Sequence, residues 1–162
     1  MRKLTFSIIA LVALMTLAAA PGFAAKKYGG NHTYKAELIG KEETPPVDTM
    51  AKGIATFEPE KWGKELRFKV TVEDIEGVTA AHIHLGKKGA EVPVVAGLFG
   101  GPKKEGKFSG TLAEGTITNK DLVGPLSGKT FKDLIGLIKK GELYVNVHTE
   151  KHPGGELRGE IK

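Results

Sequence analysis

The chain has 162 residues, no cysteine, and 24 Lys and Arg against 19 Asp and Glu, a formal charge of +5. Without cysteine there is no disulfide, no thiol nucleophile and no lipid-modified N-terminal Cys. The lysines alternate with acids, as in "EPEKWGKE", "GPKKEGK" and "LIKKGE"; a nucleic-acid surface needs clustered Lys and Arg, so that partner class is excluded.

The first stretch, "MRKLTFSIIALVALMTLAAAPGFAA", has the three regions of a signal peptide. Arg2 and Lys3 supply the basic region, Leu4 to Leu17 the apolar one, and Gly22-Phe23-Ala24 the small residues before the cut. Residues 1–24 are therefore expected to be removed, with Ala20 as a second cleavage position. The apolar run falls short of the roughly 20 residues of a spanning helix, so no integral span is expected after processing. The protein is expected to be exported, either periplasmic or secreted. Residues 25–162 then form one domain, large enough to bury around two-thirds of its unfolded surface.

Downstream, short alternating runs are broken by Gly and Pro, as in an antiparallel sandwich or barrel. "HTYKAELIG" puts Tyr34, Ala36 and Leu38 on one face, and "PPVDTMAKG" reads as a turn-rich connection. "GIATFEP" alternates Ile54 and Thr56 with Ala55 and Phe57. "ELRFKVTVED" has the clearest period of two, with Leu66, Phe68, Val70 and Val72 facing in. "VTAAHIHLG" sets Ala81, Ile83 and Leu85 against His82 and His84. "VPVVAGLFG" is a more continuous apolar strand, and "GKFSGTLAEGTIT" a strand with Gly-marked irregularities.

One helix is predicted, over Phe131 to Lys140. Phe131, Leu134, Ile135 and Ile138 recur at helical spacing, Thr130 or Ser127 can cap the start, and Gly141 can end it. "TNKDLVGPL" before it can add a turn of helix. "ELYVNVHTE", a turn at "KHPGG", and "ELRGEIK" form a predicted hairpin, with Leu143, Val145 and Val147 in the core and Glu156, Arg158 and Glu160 together on one face. Arg158 is expected to pair with an acid; anion steering is the alternative.

Three stretches carry a family resemblance: "GKEETPPVDTMAKGIATF", "AAHIHLGKKGAEVPVVAGLF" and "LYVNVHTEKHPGGELRGEI". In order, they resemble the opening, the His-Ile-His signature and the Tyr-Val-Asn-Val-His-Thr…Gly-Glu-x-Arg-Gly segment of the CHRD (chordin-type) domain found in bacterial exported proteins. Val92 departs from the glycine usual before Pro-Val-Val. The resemblance implies an all-β fold: an antiparallel immunoglobulin-like or superoxide-dismutase-like Greek-key β-sandwich or barrel, here with one short helix. It leaves the biochemical activity undefined.

His82 and His84 lie about 6.6 Å apart along a strand and point the same way. His148 follows Tyr144 and Asn146 on the less apolar face of its own strand. If the two strands are neighbours, three imidazoles meet. Neutral imidazole suits copper, zinc or nickel, and three His with an open position is a catalytic zinc arrangement; copper is favoured because His-x-His on such a strand resembles the dismutase copper site. Metal binding of this kind weakens as pH falls through the histidine range near 6.5. The alternative is a metal-free hydrogen-bond network in which Asn146 and Thr149 join the histidines. His32 and His152 are expected at the surface.

No serine lies in Gly-x-Ser-x-Gly, and no carboxylates are paired in an acid–base motif, so no catalytic residue is assigned. The leading reading is a non-enzymatic exported binding or interaction module, with a protein or cell-surface partner and a His-lined metal site. The alternative is a copper-dependent redox protein with superoxide-dismutase-like activity.

Overall fold

A computed structural model describes residues 32–60, 64–86 and 93–162. The proposed signal peptide and Val92 lie outside the described residues. Seven strands and one α-helix follow in order: β1 (Tyr34–Ile39), β2 (Lys52–Glu60), β3 (Glu65–Leu85), β4 (Val94–Phe99), β5 (Lys104–Ile117), α1 (Phe131–Lys139), β6 (Leu143–Thr149) and β7 (Leu157–Glu160). All pairings are antiparallel. β3 pairs first with β2, β2 with β1, β1 with β7, β7 with β6, and β6 returns to the far half of β3, so the sheet closes into a barrel. β5 lies along the first half of β3 and β4 along its end. This is an antiparallel β-barrel with one short helix, the closed form of the sandwich or barrel that the alternation predicts.

The closure rests on β3. The sequence suggests two strands there, separated by "EDIEG", but the chain runs through them as one strand of 21 residues. Asp74 at φ 53° and Gly77 at φ 63° absorb the bend, and the register against β5 shifts on either side of Ile75. Bulges of this kind add twist and turn a strand around a corner. One strand can therefore pair with β2 at its start and β6 at its end.

Leu66, Phe68, Val70, Val72, Ile83, Leu143, Val145 and Val147 are all buried, as their alternation predicts. Each fully buried aliphatic side chain contributes about 1.5–3 kcal/mol relative to exposure. β1 and β7 approach so closely that a Cβ on Gly159 would run into the Glu37 carbonyl. α1 packs Phe131, Leu134 and Ile138 onto the barrel. Of the two candidate caps, Thr130 takes the role: its N–H and hydroxyl both donate to Asp133, and its side chain accepts from the Asp133 N–H. Gly141 at φ 66° ends the helix. "TNKDLVGPL" forms two 3-10 turns, Asn119–Asp121 and Gly124–Leu126, rather than α-helix. No helix among the described residues is long and apolar enough to cross a membrane.

Candidate metal centre

The register of β3 against β6 builds the site. His82 lies opposite Asn146, His84 opposite Tyr144, and Ala80 opposite His148. Side chains of one parity share a face, so all three histidines project from the side of the sheet opposite Ile83, Val145 and Val147. One nitrogen of each ring lies within 4.8 Å of one from each of the others. His82 Nδ1 and His148 Nε2 are 3.2 Å apart. The ring centroids of His82 and His84 are 5.8 Å apart, and those of His84 and His148 6.1 Å.

Chemistry fixes the proton positions. His148 Nδ1 lies 2.8 Å from the Pro153 carbonyl, which can only accept, so Nδ1 carries the hydrogen and Nε2 presents its lone pair. In the metal-free protein His82 Nδ1–H therefore donates to His148 Nε2. The turn "KHPGG" supplies that carbonyl. Thr149 Oγ1 accepts from the His152 N–H, and Gly155 N–H donates to the His152 carbonyl. The turn thus orients a histidine, as outer groups commonly orient metal ligands.

Burial favours the neutral form of the His82 and His148 rings. It lowers the His82 pKa to about 4, assisted by repulsion from His148 and His84. Burial also lowers that of His148, against the opposing pull of the Pro153 hydrogen bond. Neutral imidazole is the ligating form. The cluster borders an open cleft of about 380 Å³, walled by Thr79, Val94, Glu150 and Pro153. An ion on the three nitrogens would face that cleft.

Asn146 and Thr149 are not part of the histidine network. Asn146 donates to Glu43 and to the Leu157 carbonyl. Thr149 and Thr49 each donate, at 2.7 Å, to one oxygen of buried Glu156. These contacts tie the connection after β1 to the turn before β7. A Cβ on Gly155, at φ 134°, would land on Asn146 and Glu43. His32 is exposed and His152 half-buried, and neither joins the cluster.

The last strand departs from expectation. Glu156 and Arg158 are buried rather than lying on an exposed face. Among the described residues Arg158 has no ion pair; its guanidinium lies over the Tyr144 ring, with Cζ 3.5 Å from the ring centroid. Tyr144 in turn stacks on His84, at 5.1 Å and 8°. Arginine and histidine thus sandwich a buried tyrosine whose pKa is raised, chiefly by burial. The sequence reading missed Glu43, which is buried with its pKa raised by burial to about 7. Its signal was in view, an acid just before Pro-Pro-Val, but only the barrel's closure brings it to Asn146.

Known proteins place the same residues in one family. Residues 34–161 match the family model described as the CHRD domain. Chordin of Xenopus laevis is 26% identical over 132 residues, an alignment covering 76% of this chain. The chain spans 12% of that relative's length. No solved structure matches it. With the family model running from β1 to the residue after β7, through the histidine pair and the Asn146–Arg158 segment, the chain belongs to the CHRD domain family.

Proposed function

We propose that this CHRD domain is an exported, non-enzymatic binding module that holds one transition-metal ion, copper or zinc, on His82, His84 and His148. The supporting observation is the convergence of three ring nitrogens within 4.8 Å of one another, each from a strand whose register is set by the core. A tetrahedral ion at about 2.0–2.1 Å from its nitrogens needs neighbouring donors a little over 3 Å apart. The His82–His148 pair is already at that spacing. The two remaining gaps, both to His84, are at most 4.8 Å. On metal entry His82 carries its proton on Nε2, so both Nδ1 of His82 and Nε2 of His148 offer lone pairs.

The first 24 residues support export, to the periplasm or beyond the cell, and kinship with chordin supports a protein or cell-surface partner. Among the described residues, His82, His84 and His148 are the one group of three such ligands. The redox alternative therefore has no second metal cluster of the dismutase kind to support it there. Proton competition at His82 is displaced downward from the unperturbed range near 6.5, because burial already excludes its charged form.

The test is metal stoichiometry. The mature protein, stripped with chelator and dialysed against copper or zinc, should retain one equivalent. Alanine at any one of the three histidines should lower affinity at least tenfold. Equal retention by wild type and all three variants would contradict the assignment.

A further inference from the structure

Arg158 is where the expected ion pair fails, and the failure points to a second site. Its side chain is only 6% exposed, and its position on β7, opposite Asn146, is fixed by the register. One face of the guanidinium is covered by Tyr144. Among the described residues, no carboxylate lies within ion-pair distance of it, and no hydrogen bond engages its N–H groups. Glu43, whose carboxyl the Arg158 charge acts on, is instead hydrogen-bonded to Asn146. A guanidinium carries five donors and no acceptor of its own, so without a protein partner it is left to bind water or a ligand. The guanidinium is not sealed, however: none of its nitrogens is buried without a partner, and Arg158 lines a cleft of about 460 Å³, separate from the histidine cleft, that also touches Tyr144, Lys140, Gly141 and Glu160.

We propose that this cleft is a binding site for the carboxylate group of a small ligand, held by Arg158 and Lys140. Geometry selects the chemistry. A guanidinium fork pairs with a planar carboxylate through two parallel hydrogen bonds, and the Tyr144 ring packs against the guanidinium at 3.5 Å. Lys140, exposed at the end of α1, adds a point charge at the rim. Glu42 and Glu160 also border the cleft. Their negative charge disfavours a doubly charged anion and leaves a singly charged carboxylate as the better fit. The inference is independent of the metal reading, since it uses none of the three histidines.

The experiment uses the full mature protein, isotope-labelled and treated with chelator, titrated with acetate and separately with inorganic phosphate. Acetate should produce saturable NMR shifts at the Arg158 Nε–H and at the Tyr144 and Gly141 amides, and should bind more tightly than phosphate. Lys140→Ala, at an exposed position, should weaken acetate binding about threefold to tenfold with an unchanged melting temperature. Arg158→Lys, which keeps the charge and loses the fork, should abolish it. Absence of saturable shifts in the wild type, tighter binding of phosphate, or acetate affinity unchanged in Lys140→Ala would each overturn the proposal.

Discussion

The two faces of the β3–β6–β7 sheet are both withdrawn from solvent, by different means. One carries Ala81, Ile83, Val145, Val147 and Leu157, all at 0% exposure. The other carries His84, Tyr144, Asn146 and Arg158, at 9%, 6%, 3% and 6%. The apolar face is held by non-directional burial, which tolerates repacking. The polar face is held by specific partners: Pro153 for His148, Glu43 for Asn146, Tyr144 for Arg158. Burial alone therefore does not distinguish a core from a site. What distinguishes them is whether each buried group is satisfied by shape or by a named atom.

The largest expected effect lies on the apolar face. Ile83→Ala, between the two strand histidines, should cost about 2–5 kcal/mol through lost burial and the cavity left behind, read from urea unfolding. A loss below 1 kcal/mol would mean that this face is not the core. On the polar face, Gly155→Ala should cost about 1–3 kcal/mol, because the new methyl meets Asn146 and Glu43 in a backbone conformation that disfavours a side chain. Its effect should shrink in an Asn146→Ala background. Strict additivity in that double-mutant cycle would remove the coupling.

A smaller stability effect is expected at the histidines themselves. His82→Ala removes one hydrogen bond from a half-buried ring and should cost about 1 kcal/mol in the metal-free protein. Added copper or zinc should raise the melting temperature of the wild type and leave this variant unchanged. If both respond alike to metal, the ion binds elsewhere.

The subtlest difference concerns pH. The folded pKa of Glu43, about 7, is above its usual 4.5. In that window the folded state binds more protons than the unfolded, so this contribution is fully present below 4.5 and is lost as pH rises through 7. His82 works in the opposite sense: with its folded pKa near 4, below the usual 6.5, its contribution is present above 6.5 and lost as pH falls through 4. Glu43→Gln should therefore steepen the rise of stability between about pH 4.5 and 7 and be at least as stable as wild type above it. Chelator-treated unfolding midpoints across pH measure this, and parallel profiles would contradict it.

Much of the barrel was legible in the sequence because alternation of Leu66, Phe68, Val70 and Val72 reports a strand with one wet face. The same logic found the shared direction of His82, His84 and His148. It failed where both faces are covered. Tyr144, Asn146 and Arg158 alternate with aliphatics as surface residues do, and a local pattern cannot reveal that Glu43 and Gly155 close over Asn146 or that His84 and Arg158 pack on Tyr144. The continuity of β3 was equally hidden, since "EDIEG" has the composition of a loop and is kept in the sheet by pairing with β5. Glu156 illustrates both difficulties. Its partners Thr149 and Thr49 are 7 and 107 residues away, and only closure of the barrel can bridge the second separation.

X-ray absorption at the metal edge tests the central claim most directly. The mature protein loaded with one equivalent of copper or zinc should show three imidazole nitrogens at about 2.0 Å, with outer-ring scattering from each ring. Single alanine variants at His82, His84 or His148 should each lose one imidazole shell or fail to load. A first shell of oxygens, or a wild-type imidazole count below three, would contradict a metal centre built from the β3 pair and the end of β6.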